Sequence, residues 1–133
     1  SSGRVLMLMR TALGCQYSAI STNGGETWSR PMPTPLKGTA APAYVTRVPS
    51  TGDLLVVWNH NPGGKRRNPL AAAVSRDEGK TWGHFRNVEE KPDDAWAYPA
   101  ITWVGNEALL TYFNYTGGLS LQLKILPVEW FYR

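Results

Sequence analysis

Side chains able to grip an acidic ligand or to displace a leaving group are gathered in a few polar segments of this 133-residue chain. Arg10, His60, Arg66, Arg67, Asp93, Asp94, Trp96 and Tyr98 all lie between apolar runs or at their ends. A guanidinium is a planar fork of donors, suited to a carboxylate through two parallel, charge-assisted hydrogen bonds. A phenol becomes a nucleophile only where a neighbouring base takes its proton, because its ordinary pKa is about 10. Tyr98 is singled out by an internal comparison. Ala41-Pro42-Ala43-Tyr44-Val45 aligns with Tyr98-Pro99-Ala100-Ile101-Thr102, so a phenol replaces a methyl group at one position of a repeat. Two readings are open for it: a reactive group, or an aromatic that fills an inner channel.

The elements that must position these groups follow from a second repeat. Ser21-Thr22-Asn23-Gly24-Gly25-Glu26-Thr27-Trp28 recurs as Ser75-Arg76-Asp77-Glu78-Gly79-Lys80-Thr81-Trp82, a spacing of roughly 50 residues, which is the size of a propeller blade. Between and around the copies lie short runs rich in Val, Leu, Tyr and Trp, bounded by Gly, Pro, Asn and Asp. These are strand signals. The expected strands are Val5–Arg10, Gln16–Ser21, Trp28–Pro31, Tyr44–Val48, Asp53–Asn59, Leu70–Ser75, Trp82–Val88, Tyr98–Val104, Glu107–Asn114 and Leu119–Leu126, with Val128–Phe131 as one more. No segment carries a capped helical period. The expected fold is all-β: a partial β-propeller of about two and a half four-stranded antiparallel blades. Residues 1–40 supply the last three strands of one blade, 41–95 a complete blade, and 96–133 most of a further one.

Each octapeptide reads as a turn that closes a hairpin. Ser21 and Asn23, like Ser75 and Asp77, are spaced to bond the backbone of a tight turn. Gly25 and Gly79 supply backbone angles that other residues resist. Trp28 and Trp82 follow with large apolar areas to bury. Asn23 keeps an acceptor oxygen where the other copy has Asp77, so both turns should form. This structural reading outweighs calcium binding, and no metal or cofactor is expected.

Ser-x-Asp-x-Gly-x-Thr-Trp is the Asp-box, or BNR repeat, and over nearly its whole length the chain resembles the C-terminal portion of a propeller of the sialidase (neuraminidase) superfamily. Arg10-Thr11-Ala12-Leu13-Gly14, Thr51 to Asn59 and Arg67-Asn68-Pro69-Leu70 are similar to bacterial sialidase-like sequences. The resemblance implies that a terminal sialic acid, or a related acidic sugar, binds at the rim away from the Asp-boxes. It also implies a Tyr nucleophile, an exception among glycosidases, for which Tyr98 is the candidate. A neutral phenol attacks a centre beside a carboxylate without charge repulsion. Arg10 and Arg67 are the implied carboxylate ligands, with Arg66 as the neighbouring choice; solvated loop arginines are the bland alternative. Trp96, taken as exposed beside Tyr98, and His60, able to bond a sugar hydroxyl, complete the expected substrate-binding set. The implied function is that of an exo-sialidase-like glycoside hydrolase. The rival is a non-catalytic Asp-box module that binds carbohydrate or protein.

Composition narrows the partners. A net charge of +4 favours acidic ligands weakly, and Lys65-Arg66-Arg67 is the only basic cluster. Nucleic-acid binding normally shows a longer basic stripe, so it is not expected. No apolar run is long enough for a membrane-crossing helix, and the first residues lack a signal-peptide pattern. Cys15 is the only cysteine, so no internal disulfide can form and the compartment is unreadable. An open array of blades leaves apolar faces uncovered. Self-association, or further N-terminal blades, is expected to close a ring.

Overall fold

The computed structural model describes residues 3–133. The chain forms β1 (Val5–Met9), β2 (Cys15–Ser21), β3 (Met32–Lys37), β4 (Tyr44–Arg47), β5 (Leu54–Asn59), β6 (Leu70–Ser75), β7 (Gly83–Glu89), β8 (Trp96–Val104), β9 (Glu107–Asn114) and β10 (Ser120–Pro127), then one turn of 3-10 helix, Val128–Tyr132. The strands make three antiparallel sheets, ordered β1-β2-β3, β4-β5-β6-β7 and β8-β9-β10. The sheets lie face to face in chain order.

The middle sheet is covered on both sides, which is why its central strands do not alternate. Every residue of β5 and β6 is buried. On one face Val56, Trp58 and Ala73 meet Leu36, with Leu6 and Leu8 of the first sheet packed against them. On the other face Leu55, Val57 and Val74 meet Ile101, Leu110 and Tyr112 of the third sheet. A polar bridge reinforces this second interface. Lys124 Nζ donates to the Val88 carbonyl (2.7 Å) and pairs with Glu89 (2.8 Å), whose carboxylate also accepts from the Tyr112 hydroxyl. Burial, and then the adjacent Glu89, push the Tyr112 phenol well above its ordinary range.

Two expected strands are corrected. The third strand of the first sheet is Met32–Lys37, not Trp28–Pro31. Residues after Trp28 finish the octapeptide turn, with the Ser29 amide donating to the Ile20 carbonyl (2.9 Å). Pairing then starts where Thr34 and Leu36 point inward; Thr34 Oγ1 donates to the Gln16 carbonyl at 2.7 Å. β3 is an edge strand, so Pro33 and Pro35 cost it no obligatory ladder bond. At the other end Val128–Phe131 is helical rather than extended. It folds back over the core, burying Val128 and Phe131. Arg86 holds the turn in place by lying over the Trp130 ring at 4.3 Å and donating to the Trp130 carbonyl at 2.8 Å.

Both octapeptides close hairpins in the same way. Ser21 Oγ accepts from the Gly25 amide and Ser75 Oγ from the Gly79 amide, each at 2.8 Å. The Thr27 amide donates to Asn23 Oδ1 (3.0 Å), as the Thr81 amide does to Asp77 Oδ1 (2.8 Å). The exchange of Asn for Asp reverses only the hydroxyl bond. Asn23 Nδ2 donates to Thr27 Oγ1 (3.0 Å), whereas Thr81 Oγ1 donates to Asp77 Oδ2 (2.6 Å). Gly79 is fixed twice, by a φ of +84° and because a Cβ there would lie 2.9 Å from Leu6 Cδ2. The two tryptophans differ. Trp82 is 9% exposed and packs between the first two sheets, but Trp28 is 37% exposed. The expected burial of Trp28 is therefore corrected: among the described residues no sheet lies beyond the first for it to pack on.

Asp77 gives this turn an acid limit. Hydrogen bonds from the Thr81 hydroxyl and amide lower its carboxyl from an ordinary 3.8 to about 2. A depressed folded-state value contributes stability that is complete above the unfolded pKa and is lost as pH falls through the folded one. The melting temperature should therefore decline on acidification from about pH 4 to about pH 2. Asp77→Asn, which reproduces the Asn23 turn, should flatten that decline in thermal melts. An equally steep decline in the variant would assign the acid sensitivity elsewhere.

Candidate functional site

β6 separates the structural turns from the polar loops. Ser75, at its C-terminal end, opens an octapeptide; Arg67 lies just before its N-terminal end at Leu70. Six residues of strand span roughly 20 Å. Arg67, Arg10 and Tyr98 thus gather at the end of the sheets away from the Asp-box turns.

Tyr98 reaches that end through an irregularity in β8. The register with β9 shifts between Ala97 and Ala100, a β-bulge, and Tyr98 has a φ of +55°. A non-glycine residue in the left-handed region is held there against a cost of order 1 kcal/mol or more, and bulges re-aim side chains beside functional sites. The ring is 45% exposed between buried Ala97 and Pro99.

Two guanidiniums converge on this phenol. Arg67 Cζ lies 5.3 Å from the Tyr98 ring centre and 5.8 Å from that of Tyr115. The hydrogen bond and charge of Arg67, with Arg10 as a second contributor, hold the Tyr98 hydroxyl below the usual phenol range. Tyr115, from the loop between β9 and β10, completes an aromatic cluster with a ring separation of 6.5 Å from Tyr98. Arg67 also borders a concavity of about 430 Å³ lined by Ala12, Gly14, Gly38, Thr39 and Lys65. That volume falls in the range of small-molecule sites.

The remaining predicted residues fall elsewhere. Arg66 is engaged by Asp93, donating to its carboxylate at 3.2 Å and its carbonyl at 2.8 Å. His60 Nδ1 lies 3.1 Å from the Lys37 carbonyl, and the ring packs against Trp58 and Phe85. Trp96 corrects its expectation: it is 2% exposed and belongs to the core between the second and third sheets. The bulge lies after Trp96, so its side chain takes the inward face while Tyr98 turns out. Asp94 is buried and faces Lys91 at 3.6 Å.

Tyr115 is not among the residues singled out from the sequence. An aromatic flanked by Asn114 and Thr116-Gly117-Gly118 was the available signal. Asn59 and Asn68 were also passed over. Asn68 Nδ2 donates to the Lys91 and Asp94 carbonyls, both at 2.9 Å, docking the segment before Tyr98 onto the Arg67 loop. Among the described residues no group of three His, Cys, Asp or Glu side chains is arranged to hold a metal ion, and no helix is long and apolar enough to cross a membrane.

Residues 1–111 match the BNR repeat-like domain family. In fold the chain is similar to a sialidase, NanB of Streptococcus pneumoniae. A single-residue mutant of that enzyme superposes with a TM-score of 0.64 at 17% identity, over 96% of this chain and 22% of the sialidase. The same sialidase in complex with a substituted ethanesulfonate gives a TM-score of 0.59 at 18% identity, over 94% and 19% of the respective chains. The chain thus spans about a fifth of the length of these solved sialidases. No curated protein sequence matches it.

Proposed function

Because the chain belongs to the BNR repeat-like domain family, we propose that it forms part of a sialidase-type β-propeller that hydrolyses a terminal sialic acid or a related acidic sugar. In this reading the three sheets are consecutive blades: 1–40 gives the last three strands of one, 41–95 a whole blade and 96–133 most of the next. Arg10 and Arg67 hold the sugar carboxylate. The Tyr98 oxygen bonds to the anomeric carbon as the glycosidic bond breaks, and its proton passes to a carboxylate. The departing alcohol oxygen takes a proton from an acid, and water then hydrolyses the tyrosyl-sugar.

The observation that carries this reading is the Arg67 guanidinium lying 5.3 Å from the ring of a phenol on a strained, re-aimed segment. Cations beside the hydroxyl ease its ionisation, and the same cations suit an anionic sugar. The solved sialidase of similar fold is in complex with a zwitterion, a substituted ammonioethanesulfonate, whose sulfonate end is anionic.

A second reading, a non-catalytic module that binds carbohydrate or protein at this rim, is favoured by one feature. The carboxylates nearest Tyr98 in sequence are engaged: Asp93 with Arg66 and Asp94 with Lys91. The first reading therefore takes its base and acid from carboxylates other than Asp93 and Asp94. Turnover of a fluorogenic sialoside by the intact protein decides between the two. Hydrolysis supports the enzyme, whereas glycan-array binding with no hydrolysis replaces it with the binding module.

A further inference from the structure

We propose that Asn59 is a positioning residue that sets the Arg67 loop and the Tyr98 bulge in register with each other. It is the last residue of β5 and 1% exposed. Its amide reaches two segments at once: Nδ2 donates to the Trp96 carbonyl (3.0 Å) and to the Pro69 carbonyl (3.3 Å). Trp96 lies two residues before Tyr98, and Pro69 two residues after Arg67. The same segments are joined again by the Trp96 amide, which donates to the Arg67 carbonyl at 2.8 Å. Asn59 is anchored on its own side as well. A Cβ on Gly38 would lie 2.1 Å from the Asn59 carbonyl oxygen, so the backbone of Asn59 is pressed against the connection that borders the concavity.

A residue that only filled space here would be apolar, as the rest of β5 is. An amide in this place pairs two carbonyls of different segments and, among the described residues, leaves its own Oδ1 without a partner. Burying a polar atom unpaired is unfavourable, so the gain must lie in what Nδ2 holds together. Without that link β8 can shift against the Arg67 loop, and the guanidinium no longer meets the Tyr98 hydroxyl. This inference rests on the proposed reaction only for its catalytic consequence; the positioning itself is a statement about two loops.

The test is carried out in the intact protein. Ionisation of Tyr98 is read from phenolate absorbance as the difference between each variant and the same variant carrying Tyr98→Phe. With Asn59 present, Tyr98 should ionise below the ordinary phenol pKa of about 10. In Asn59→Leu, which keeps the branched shape and removes the donor, its titration should move up toward that value. Sialoside kcat/KM should fall about tenfold or more. Asn59→Ser keeps a single donor and should titrate in between, and it serves if the Leu variant fails to fold. Val48→Ala, in the same core but away from the rim, should lower the melting temperature and leave the Tyr98 titration in place. If Tyr98 ionises at the same pH in the Asn59 variants as in the unsubstituted protein, the inference falls, whatever the assay gives. If the titration moves and no protein in the series turns over sialoside, Asn59 keeps its role and the hydrolase reading is the one that fails.

Discussion

Tyr98→Phe in the intact protein is expected to lower sialoside kcat on the order of 10³-fold, with KM little changed, since a positioned group that bonds or transfers a proton in the transition state is worth this much. The substitution is narrow. Phe keeps the ring, its contact with Arg67 and its place between Ala97 and Pro99, and loses only the oxygen. Arg10 and Arg67 remain to bind the carboxylate, so ground-state affinity survives. The cations that lower the hydroxyl pKa matter only if that oxygen reacts. Steady-state kinetics on matched preparations is the check. Undiminished kcat in Tyr98→Phe would leave Tyr98 as an aromatic filling the mouth of a channel.

The parts of this molecule legible in the sequence are those fixed by local chemistry. The two octapeptides form the turns their Ser, Asx and Gly residues dictate. Leu54–Trp58 and Leu70–Val74 are continuous apolar runs because sheets cover them on both sides. What escaped is set by partners distant in sequence. β3 begins later than expected because Ser29 still belongs to the turn, and because Gln16 and the inward cluster around Leu36 choose the register. Trp96 reads as an exposed loop residue until the bulge after it is known; two positions separate a core tryptophan from a rim tyrosine. The closing 3-10 turn depends on Arg86, which is distant in sequence from Trp130 and invisible to periodicity. Asn59 looks like the polar end of a strand, and only the approach of Pro69 and Trp96 gives its amide a task. The meeting of Arg10, Arg67 and Tyr98 was foreseeable only as three residues on one end of a strand array, because their contact depends on a left-handed φ that no residue type announces.

A polypeptide of these 133 residues alone should self-associate, and charge placed on β10 should disperse it. The outer face of the third sheet exposes Leu121, Leu123 and Ile125 at 64%, 56% and 56%, and Val104 beside them at 55%. Across the stack, β1 exposes Val5 and Met7 at 39% each. β10 is also an edge strand of eight residues whose outward side chains are all apolar through this stretch, a template for further pairing. Burying each of these half-exposed side chains is worth roughly 1 kcal/mol, since full burial of a Leu or Ile is worth about 1.5–3. The two faces together therefore favour association by several kcal/mol before its entropic costs. In the intact protein other sheets of a closed ring would cover the same faces, and no association is required. Leu121→Lys with Leu123→Lys puts two ammonium groups on the face without touching Lys124 and Gln122, which point the other way. Light scattering should report a multimer for the unsubstituted polypeptide and a monomer, or a much smaller species, for the double variant. A dilute monomer that binds no hydrophobic dye, obtained without any substitution, would mean that these faces need no cover, and both the ring and the association would be lost as explanations for them.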